Sequence, residues 1–362
     1  MGATLQNKLD LALENVMVPW LGETVAVAGG KAEIAADSTP TLRLKLGFPV
    51  GRAAHSIASQ IRSELSAACD TDVKVELSWK VHAHSVQGTL SPIEGIKNIV
   101  AVSSAKGGVG KSTVAVNLAL ALAAEGARVG MLDADIYGPS QPTMLGVAGE
   151  QPVSRDGKTF EPIQAHGLAM ISIGCLIDTE QPTVWRGPMV TQALNQLLFQ
   201  TNWPDLDYLF IDMPPGTGDI QLTLSQKVPV SGAVIVTTPQ DIALLDAVRG
   251  LRMFEKVHIP VLGLIENMSS FACPGCGDVT PLFGAGGGVE VAKRNDLRLL
   301  GQLPLDLRIR EETDAGQPTV VADPDSPVAQ SFTEIALALA AQLATRPRDY
   351  NHAFGSVKIE PA

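Results

Sequence analysis

A glycine-rich loop between an apolar stretch and an apolar helix-forming stretch carries the strongest chemical signal in the sequence. Residues 105–113, called here the phosphate loop, read Ala-Lys-Gly-Gly-Val-Gly-Lys-Ser-Thr. Glycines let the backbone curl until its N–H groups point at phosphate oxygens, and the N-terminus of the following helix adds positive potential. In this pattern Lys111 reaches the terminal phosphates and the Ser112 hydroxyl is a ligand for Mg²⁺. The predicted nucleotide-binding residues are Gly107, Gly108, Val109, Gly110, Lys111, Ser112 and Thr113.

Three carboxylates follow apolar stretches that have the composition of buried strands. Asp133 and Asp135 come at the end of residues 129–133, and Asp212 ends residues 208–212. Ligands of parallel sheets lie at the carboxyl ends of the strands, so we expect these side chains beside the phosphate loop. One of the first pair can support Mg²⁺ and the other can orient an attacking water, while Asp212 suits indirect support of Mg²⁺. A helix cap or a turn is the alternative role for Asp133 and Asp135.

The segment after Asp212 has the composition of a loop that responds to a bound phosphate. It continues as Met-Pro-Pro-Gly-Thr-Gly-Asp over residues 213–219. The two prolines stiffen the turn, and Gly216 and Gly218 leave room for close approach of the backbone. The 212–219 loop is therefore predicted to sense the γ-phosphate.

A second chemical signal is the closely spaced pair Cys273 and Cys276, in the sequence Cys-Pro-Gly-Cys-Gly. Two thiolates at this spacing can share one metal, and Gly277 lets the backbone fold back with N–H groups toward sulfur. Three alternatives stay open: a thioredoxin-like dithiol, zinc shared between two chains, and inert loop cysteines. Cys69 and Cys175 supply no second close pair and are interpreted as small buried apolar residues.

Short apolar stretches alternate with amphipathic stretches from Asn98 onward, which predicts a doubly wound α/β domain with a mostly parallel sheet. The predicted strands are residues 99–103, 129–133, 208–212, 232–237 and 261–267. The predicted helices are residues 112–125, 189–200, 243–256 and 328–344.

The region before residue 90 is predicted to be a separate small α+β domain. Alternation of polar and apolar residues over 41–46 and 73–79 predicts two half-buried strands, with a helix between them that covers the sheet. His82 and His84, at the end of the second strand, are interpreted as exposed edge residues. The predicted division is a small domain at 1–84, a linker at 85–97, the α/β domain at 98–345 and a C-terminal tail at 346–362.

Composition and charge restrict the classes of partner. The chain has 362 residues, 45% of them apolar, and a formal net charge of −11. That charge and the lack of a basic patch disfavour nucleic acids and anionic membranes. No stretch approaches the ~18 consecutive apolar residues of a membrane span, and residues 1–20 lack the pattern of a secretory signal. We therefore expect a cytoplasmic protein with no membrane or nucleic-acid partner.

Several motifs together resemble known families of ATPases. Lys106 makes the phosphate loop resemble the deviant Walker A group, which includes the nitrogenase iron protein, MinD and ParA. Over residues 92–345 the chain resembles the Mrp (ApbC) family of iron–sulfur cluster carrier ATPases. The motifs that carry this resemblance are Trp185-Arg186-Gly187-Pro188-Met189, the 212–219 loop, Glu266-Asn267-Met268-Ser269 and Cys273-Pro274-Gly275-Cys276-Gly277.

The resemblance implies slow hydrolysis of ATP in the presence of Mg²⁺, and delivery of clusters to apo iron–sulfur proteins. By similarity, Lys106 reaches across a dimer to the partner's nucleotide, Asp135 acts on the attacking water and Asp133 supports Mg²⁺. Asn267 takes the position that contacts adenine in related ATPases. The N-terminal region resembles small domains of the MIP18 type, but Val18-Pro19 replaces the Asp-Pro pair of many relatives, so no ligand is assigned there.

The number of ligands that a cluster requires implies that a second chain takes part. Four thiolates complete a [4Fe–4S] cluster when each of two chains supplies Cys273 and Cys276, and Lys106 requires the same homodimer. Such a cluster would be exposed and labile, which suits a carrier, and the 212–219 loop would link it to the nucleotide. Two other functions stay open: a MinD- or ParA-like positioning ATPase, and a zinc-bridged dimer with vestigial ATP binding.

Overall fold

The N-terminal region is a small layer of two helices on a three-stranded sheet. The structure, a computed structural model, describes residues 2–34, 39–88, 90–136, 138–176 and 187–349. The elements of the N-terminal region are α1 (Gly2–Leu13), β1 (Lys31–Glu33), β2 (Thr41–Leu46), α2 (Ala54–Cys69) and β3 (Lys74–Trp79). In the sheet β1 is antiparallel to β2, and β3 is parallel to it.

Helix α2 covers this sheet with one apolar face. Ile57, Ile61 and Leu65 recur at helical spacing and are buried, and α2 packs against β3 and α1. The two strands and the helix predicted for this region are confirmed, whereas the sequence reasoning did not anticipate α1 and β1.

A larger, mostly parallel sheet organises the rest of the chain. The strands that follow are β4 (Ile99–Ser103), β5 (Val129–Asp133), β6 (Ile163–Ala165), β7 (Leu168–Ser172), β8 (Tyr208–Asp212), β9 (Gly232–Thr237), β10 (Val261–Glu266), β11 (Phe271–Ala272), β12 (Val279–Thr280) and β13 (Leu299–Gln302). Within the described residues, β11 and β12 pair with each other, and the other eight form one sheet in the order β13-β10-β9-β4-β8-β5-β7-β6. Its neighbouring strands are parallel except β6 and β7.

Helices cover both faces of this sheet. They are α3 (Lys111–Ala124), α4 (Gln141–Met144), α5 (Gly187–Phe199), α6 (Asp219–Lys227), α7 (Asp241–Lys256), α8 (Gly287–Arg294), α9 (Leu307–Asp314), α10 (Thr319–Ala322) and α11 (Pro327–Ala344). Alternate residues of β4 enter two different buried clusters, Val100 and Val102 in one and Ile99 and Ala101 in the other. Burial on both faces explains why the central strands are continuous apolar runs. The predicted doubly wound α/β fold is confirmed.

The two sheets share one continuous core. Phe48 and Leu65 of the N-terminal region belong to the same buried apolar cluster as Leu118 of α3 and Leu339 of α11. The segment predicted as a linker, 85–97, also lies against the larger sheet region. In it the Gln87 side chain donates to the Ser225 carbonyl (2.9 Å) and accepts from the Val230 N–H (3.0 Å). These contacts do not test the predicted domain boundaries, which stay a prediction.

The expectation that both histidines near this junction are exposed is wrong for His84. Its side chain is buried, and its Nδ1 lies 2.8 Å from Asn98 Oδ1. Burial lowers the pKa of His84, so the neutral ring is favoured there. The pattern of alternation ended before this residue, and its contact with Asn98 at the start of β4 joins positions that no local pattern relates.

Among the described helices, none combines the length and the apolar character needed to cross a bilayer.

Candidate functional site: a phosphate loop and a cysteine hairpin

The phosphate loop connects the end of β4 to the start of α3. Gly108 and Gly110 both have φ of +81°, in the left-handed region that glycine adopts without strain, and Gly110 is the N-cap of α3. Beside the loop lies a cavity of about 380 Å³ that exposes backbone and hydroxyl groups. It is lined by Ser104, Gly107, Gly108, Gly110, Lys111, Ser112, Thr113, Asp135, Gly138, Ser140, Met144 and Pro215.

Lys111 is the centre of the charged part of the site. Its ammonium contacts Asp212 Oδ1, lies 3.6 Å from Asp135 Oδ2 and donates to the Ser112 hydroxyl at 3.2 Å. The Lys111 side chain is 6% exposed, and that of Asp212 is fully buried. The structure thus brings together the lysine and two of the predicted carboxylates, which come from three different strand ends.

Asp133 is buried next to the cavity but is not one of the residues that line it. Its carboxylate accepts hydrogen bonds from the Asp135 N–H, the Gln141 N–H and the Ser172 hydroxyl, each at 3.1 Å. Burial and the nearby charge of Asp212 raise the pKa of Asp133. This geometry lets Asp133 hold the backbone at Asp135, whose own side chain lines the cavity.

The donor set fits a divalent cation. One ammonium, on Lys111, faces three buried carboxylates, on Asp133, Asp135 and Asp212. Buried negative charge in excess of its counter-charge is unfavourable, and a hard cation such as Mg²⁺ with oxygen ligands relieves it. Oxygens of Ser112 and Asp135 line the cavity where such an ion would meet a phosphate.

Gln141 is a site residue that the sequence reasoning missed. Its side-chain amide donates to the Ser112 carbonyl (3.0 Å) and to Asp212 Oδ2 (2.9 Å), while its backbone N–H donates to Asp133. It is fully buried at the start of α4. A glutamine has no distinctive spacing in the sequence, but the segment Gly-Pro-Ser-Gln-Pro at 138–142 follows the aspartate pair and marks a turn beside it.

The 212–219 loop is tied to β4, the strand that leads into the phosphate loop. The Met213 N–H donates to the Val102 carbonyl (3.0 Å), and the Gly216 N–H donates to the Ser104 carbonyl (2.8 Å). Gln221, which the sequence reasoning also missed, donates to the Ser103 hydroxyl (2.5 Å) and to the Pro214 carbonyl (3.2 Å). The 212–219 loop is therefore hydrogen-bonded to the residues that come directly before the phosphate loop.

Lys106 and Asn267, which were both predicted to contact a nucleotide, differ in burial. Lys106 is exposed, and within the described part of the chain it makes no ion pair. Asn267 is buried, and its Nδ2 donates to the Val109 carbonyl at 2.9 Å. An exposed lysine is free to reach another molecule, whereas Asn267 braces the loop from within the chain.

The cysteine pair lies at the tip of a small hairpin. We call residues 271–280 the cysteine hairpin, in which β11 and β12 pair antiparallel. The Cys273 N–H donates to the Asp278 carbonyl (2.9 Å), and the Gly277 N–H donates to the Cys273 carbonyl (2.8 Å). Gly277 has φ of +75°, so the predicted glycine turn is present.

The sulfur of Cys273 has an environment that favours a thiolate. Hydrogen bonds from the backbone N–H groups of Cys276 and Gly275, together with the Cys276 side chain, lower the pKa of Cys273. Cys273 is partly exposed and Cys276 is exposed. In the ranges that the structure describes, no group of three or more His, Cys, Asp or Glu side chains is arranged to hold a metal ion. The hairpin therefore presents two cysteine thiols, with no third candidate ligand grouped with them among the described residues.

Large apolar side chains are exposed on and beside the hairpin. Val279 is 62% exposed, Leu282 53% and Phe283 36%. Apolar groups exposed near a functional element often mark a surface that another protein covers.

The two cysteines outside the hairpin differ in burial, and part of the 185–189 motif lies outside the described residues. Cys69 is buried, as expected, whereas Cys175 is half-buried and burial raises the pKa of its thiol. Trp185 and Arg186 of the Trp-Arg-Gly-Pro-Met motif lie outside the described residues.

Comparison with known proteins gives strong matches over most of the chain. Residues 95–340 match the ParA family, described as NUBPL iron-transfer P-loop NTPase. An iron-sulfur cluster carrier protein of Haemophilus influenzae is 50% identical over 351 residues, which cover 94% of this chain and 93% of that protein. An iron-sulfur cluster transfer protein NUBPL of Mus musculus is 51% identical over 258 residues, covering 71% of this chain and 81% of that protein.

Solved structures resemble the α/β part of the chain. A nucleotide-binding protein from Archaeoglobus fulgidus in complex with ADP has a TM-score of 0.58 and 36% identity, covering 66% of this chain and 93% of that chain. The cell division ATPase MinD from Pyrococcus furiosus has a TM-score of 0.50 and 23% identity, covering 67% of this chain and 98% of that chain. The second likeness supports the fold alone.

Proposed function

The chain belongs to the ParA family of NUBPL iron-transfer P-loop NTPases, and from this premise we propose that it is an ATP-dependent carrier of iron–sulfur clusters. In this proposal a labile [4Fe–4S] cluster binds at a homodimer interface and is passed to apo iron–sulfur proteins. The cluster is the cargo and ATP is the substrate. We further propose that it works in the cytoplasm, where reducing conditions keep its four cysteines as the free thiols found here.

The observation that carries the proposal is the incomplete thiol site on the cysteine hairpin. Cys273 and Cys276 are accessible, and backbone N–H groups favour the thiolate of Cys273. Iron–sulfur clusters of this type take four thiolates, so a second copy of the chain would complete the set. Exposed apolar side chains beside the hairpin, including Leu282 and Phe283, support contact with another protein surface at this place.

The proposed hydrolysis uses the residues around Lys111. The phosphate-loop N–H groups and Lys111 would hold the β- and γ-phosphates, and Asp135 would orient a water for attack on the γ-phosphorus. Ser112 would hold Mg²⁺ with indirect support from Asp212 and Asp133, and the ion would neutralise charge on the phosphate oxygens. The products are ADP and inorganic phosphate. Lys106 of the partner subunit would stabilise the charge that develops on the transferred group.

Cluster transfer in the presence of ATP tests this function. The anaerobically reconstituted full chain is mixed with an apo [4Fe–4S] protein, and transfer is followed by visible absorption of the acceptor. We expect Mg-ATP to change the transfer rate for the wild type and for Lys158→Ala, an exposed lysine outside the site. Lys111→Ala should transfer at one rate with and without Mg-ATP. Equal rates in all four wild-type and Lys111→Ala conditions would contradict a role for ATP.

Zinc bridging is the second candidate, because two thiols without a third ligand in the described residues suit a shared zinc as well as a shared cluster. Metal analysis after anaerobic incubation with iron and sulfide distinguishes them. The carrier proposal requires iron and labile sulfide to bind through Cys273 and Cys276. Retention of zinc with no uptake of iron would favour the zinc-bridged dimer.

A further inference from the structure

We propose that Asn267 is a positioning residue that transmits occupancy of the phosphate loop to the cysteine hairpin. The inference rests on the proposed function in one respect, since it assumes that the nucleotide and the thiols act together. It differs from an adenine contact, because the partner of the Asn267 amide in the structure is the phosphate loop itself.

The contact between Asn267 and the phosphate loop is tight. The amide donates to the Val109 carbonyl at 2.9 Å, and Asn267 is 8% exposed. At the next residue, Gly110, an added Cβ would lie 2.3 Å from Asn267 Nδ2. The phosphate loop and the Asn267 amide are therefore in close contact. A shift of the loop on phosphate binding must displace the Asn267 side chain or break its hydrogen bond.

The strand side of Asn267 is fixed. The Asn267 N–H donates to the Thr237 carbonyl at 2.8 Å. The preceding residue, Glu266, is fully buried, and its carboxylate accepts from the Gly288 N–H at 2.7 Å and from the Gln302 amide. These hydrogen bonds hold the end of β10 in place. A displacement of Asn267 is therefore transmitted more easily to residues 268–272, which follow it in the chain.

That following segment leads to Cys273 through residues 268–272. Six peptide steps span at most about 20 Å, so the two sites are joined by a short covalent path. Met268 has φ of +57°, a left-handed conformation that is uncommon for a non-glycine residue. Beyond it, Ser269 donates twice to the Leu303 carbonyl, at 2.9 Å from its N–H and 3.0 Å from its hydroxyl. The Ser270 carbonyl also accepts from the Leu305 N–H (2.7 Å), so a backbone rotation at Met268 re-aims the hairpin by shifting this anchored stretch with it.

The 212–219 loop, in contrast, is linked to β4. The Met213 and Gly216 N–H groups donate to the carbonyls of Val102 in β4 and of Ser104 directly after it, and the Asp212 carbonyl accepts from the Ala134 N–H. It is suited to sense the γ-phosphate, while the Asn267 segment is suited to carry the change to the thiols.

Peptide-resolved alkylation of the metal-free full chain tests this inference. Iodoacetamide labels Cys273 and Cys276, and mass spectrometry gives their rate without ligand, with Mg-ATPγS and with Mg-tripolyphosphate, which fills the phosphate loop without a base. We expect each ligand to change the wild-type rate by at least about fivefold, the lower end of typical coupling between sites. In Asn267→Ala and Asn267→Ser, Mg-tripolyphosphate, which has no adenine for Asn267 to contact, should still bind, measured by calorimetry, while its effect on the labelling rate falls below about twofold.

Asn202→Ala is the matched control, because the Asn202 amide donates to Thr159 (3.1 Å) and Glu161 (2.9 Å), away from both sites. It should retain the full wild-type response. A wild-type rate that tripolyphosphate leaves unchanged, or an Asn267→Ser chain that binds ligand and keeps the wild-type response, would overturn the inference. Because no iron is present, this result is independent of whether the chain carries a cluster, so the two proposals can fail separately.

Discussion

The phosphate loop and the cysteine hairpin are built in opposite ways. The Lys111, Asp135 and Asp212 side chains are buried, and hydrogen bonds of Gln141 connect the start of α3 with the ends of β5 and β8. The hairpin has two strands of two residues each, and its cysteines are partly or fully exposed. One region holds its chemical groups in place within a single chain, whereas the other presents two cysteine thiols to the outside.

In the proposed function, this difference separates the hydrolysis of ATP from the exchange of a cluster. A preorganised, water-poor site stabilises the charge of a transition state without reorganisation. An exposed metal site with few supporting contacts releases its metal more readily than a buried one. The comparison predicts that substitutions in the two regions affect different measurements.

Lys111→Ala should lower the rate of ATP hydrolysis by about 100- to 1,000-fold, because it removes the buried cation that faces the phosphates. Steady-state phosphate release measures this effect. Lys158→Ala should hydrolyse ATP at the wild-type rate, and iron binding by Lys111→Ala should be preserved. Loss of iron together with hydrolysis would mean that the two regions are not separable.

Cys276→Ala should lower iron and labile sulfide after anaerobic reconstitution by about tenfold or more, since a [4Fe–4S] cluster requires its thiolate ligands. The broad visible absorption of the cluster should disappear with them. Cys175→Ala, which removes a half-buried thiol elsewhere, should retain the metal. Normal iron content in Cys276→Ala would rule out the hairpin as the cluster site.

Gln141→Ala should lower the free energy of unfolding by about 1–3 kcal/mol, because the buried Asp212 Oδ2 loses the hydrogen bond from the Gln141 amide. Val279→Ala on the exposed hairpin should change it by less than about 0.5 kcal/mol. Denaturant titration of the metal-free chain gives both values. Equal losses would show that the hairpin is as firmly built as the phosphate loop.

The pH dependence of thiol alkylation should differ between two cysteines. Backbone N–H groups lower the pKa of Cys273, so its reactive thiolate forms at a lower pH than an ordinary thiol. Burial raises the pKa of Cys175, so its thiolate forms only at higher pH. Peptide-resolved labelling from pH 6 to pH 10 should place the midpoint of Cys273 at a lower pH than that of Cys175. The reverse order would contradict the described environment of the hairpin.

The sequence predicted those parts of the molecule whose signals are local. The continuous apolar runs of β4, β5, β8 and β9 identified the centre of the sheet, because strands buried on both faces need no alternation. Strands β6 and β13 were missed, since they have three and four residues and give no measurable period. The cysteine hairpin was found by the spacing of its ligands and not by its two-residue strands.

The part of the site that the sequence did not reveal depends on long-range closure. Gln141 joins Ser112, Asp133 and Asp212, which are far apart in the chain, and a neutral amide carries no motif. The burial of His84 against Asn98 was not predicted for the same reason, because no local pattern in the sequence relates these two residues. The contact of Asn267 with Val109 required the fold to bring β10 beside the phosphate loop.

Native mass spectrometry of the anaerobically reconstituted full chain determines whether one chain holds only half of a cluster site. We predict dimers that carry one [4Fe–4S] cluster for two chains, and monomers without iron when Cys276 is replaced by alanine. A monomer that carries a complete cluster, or a dimer whose cluster survives loss of both hairpin cysteines, would contradict this prediction.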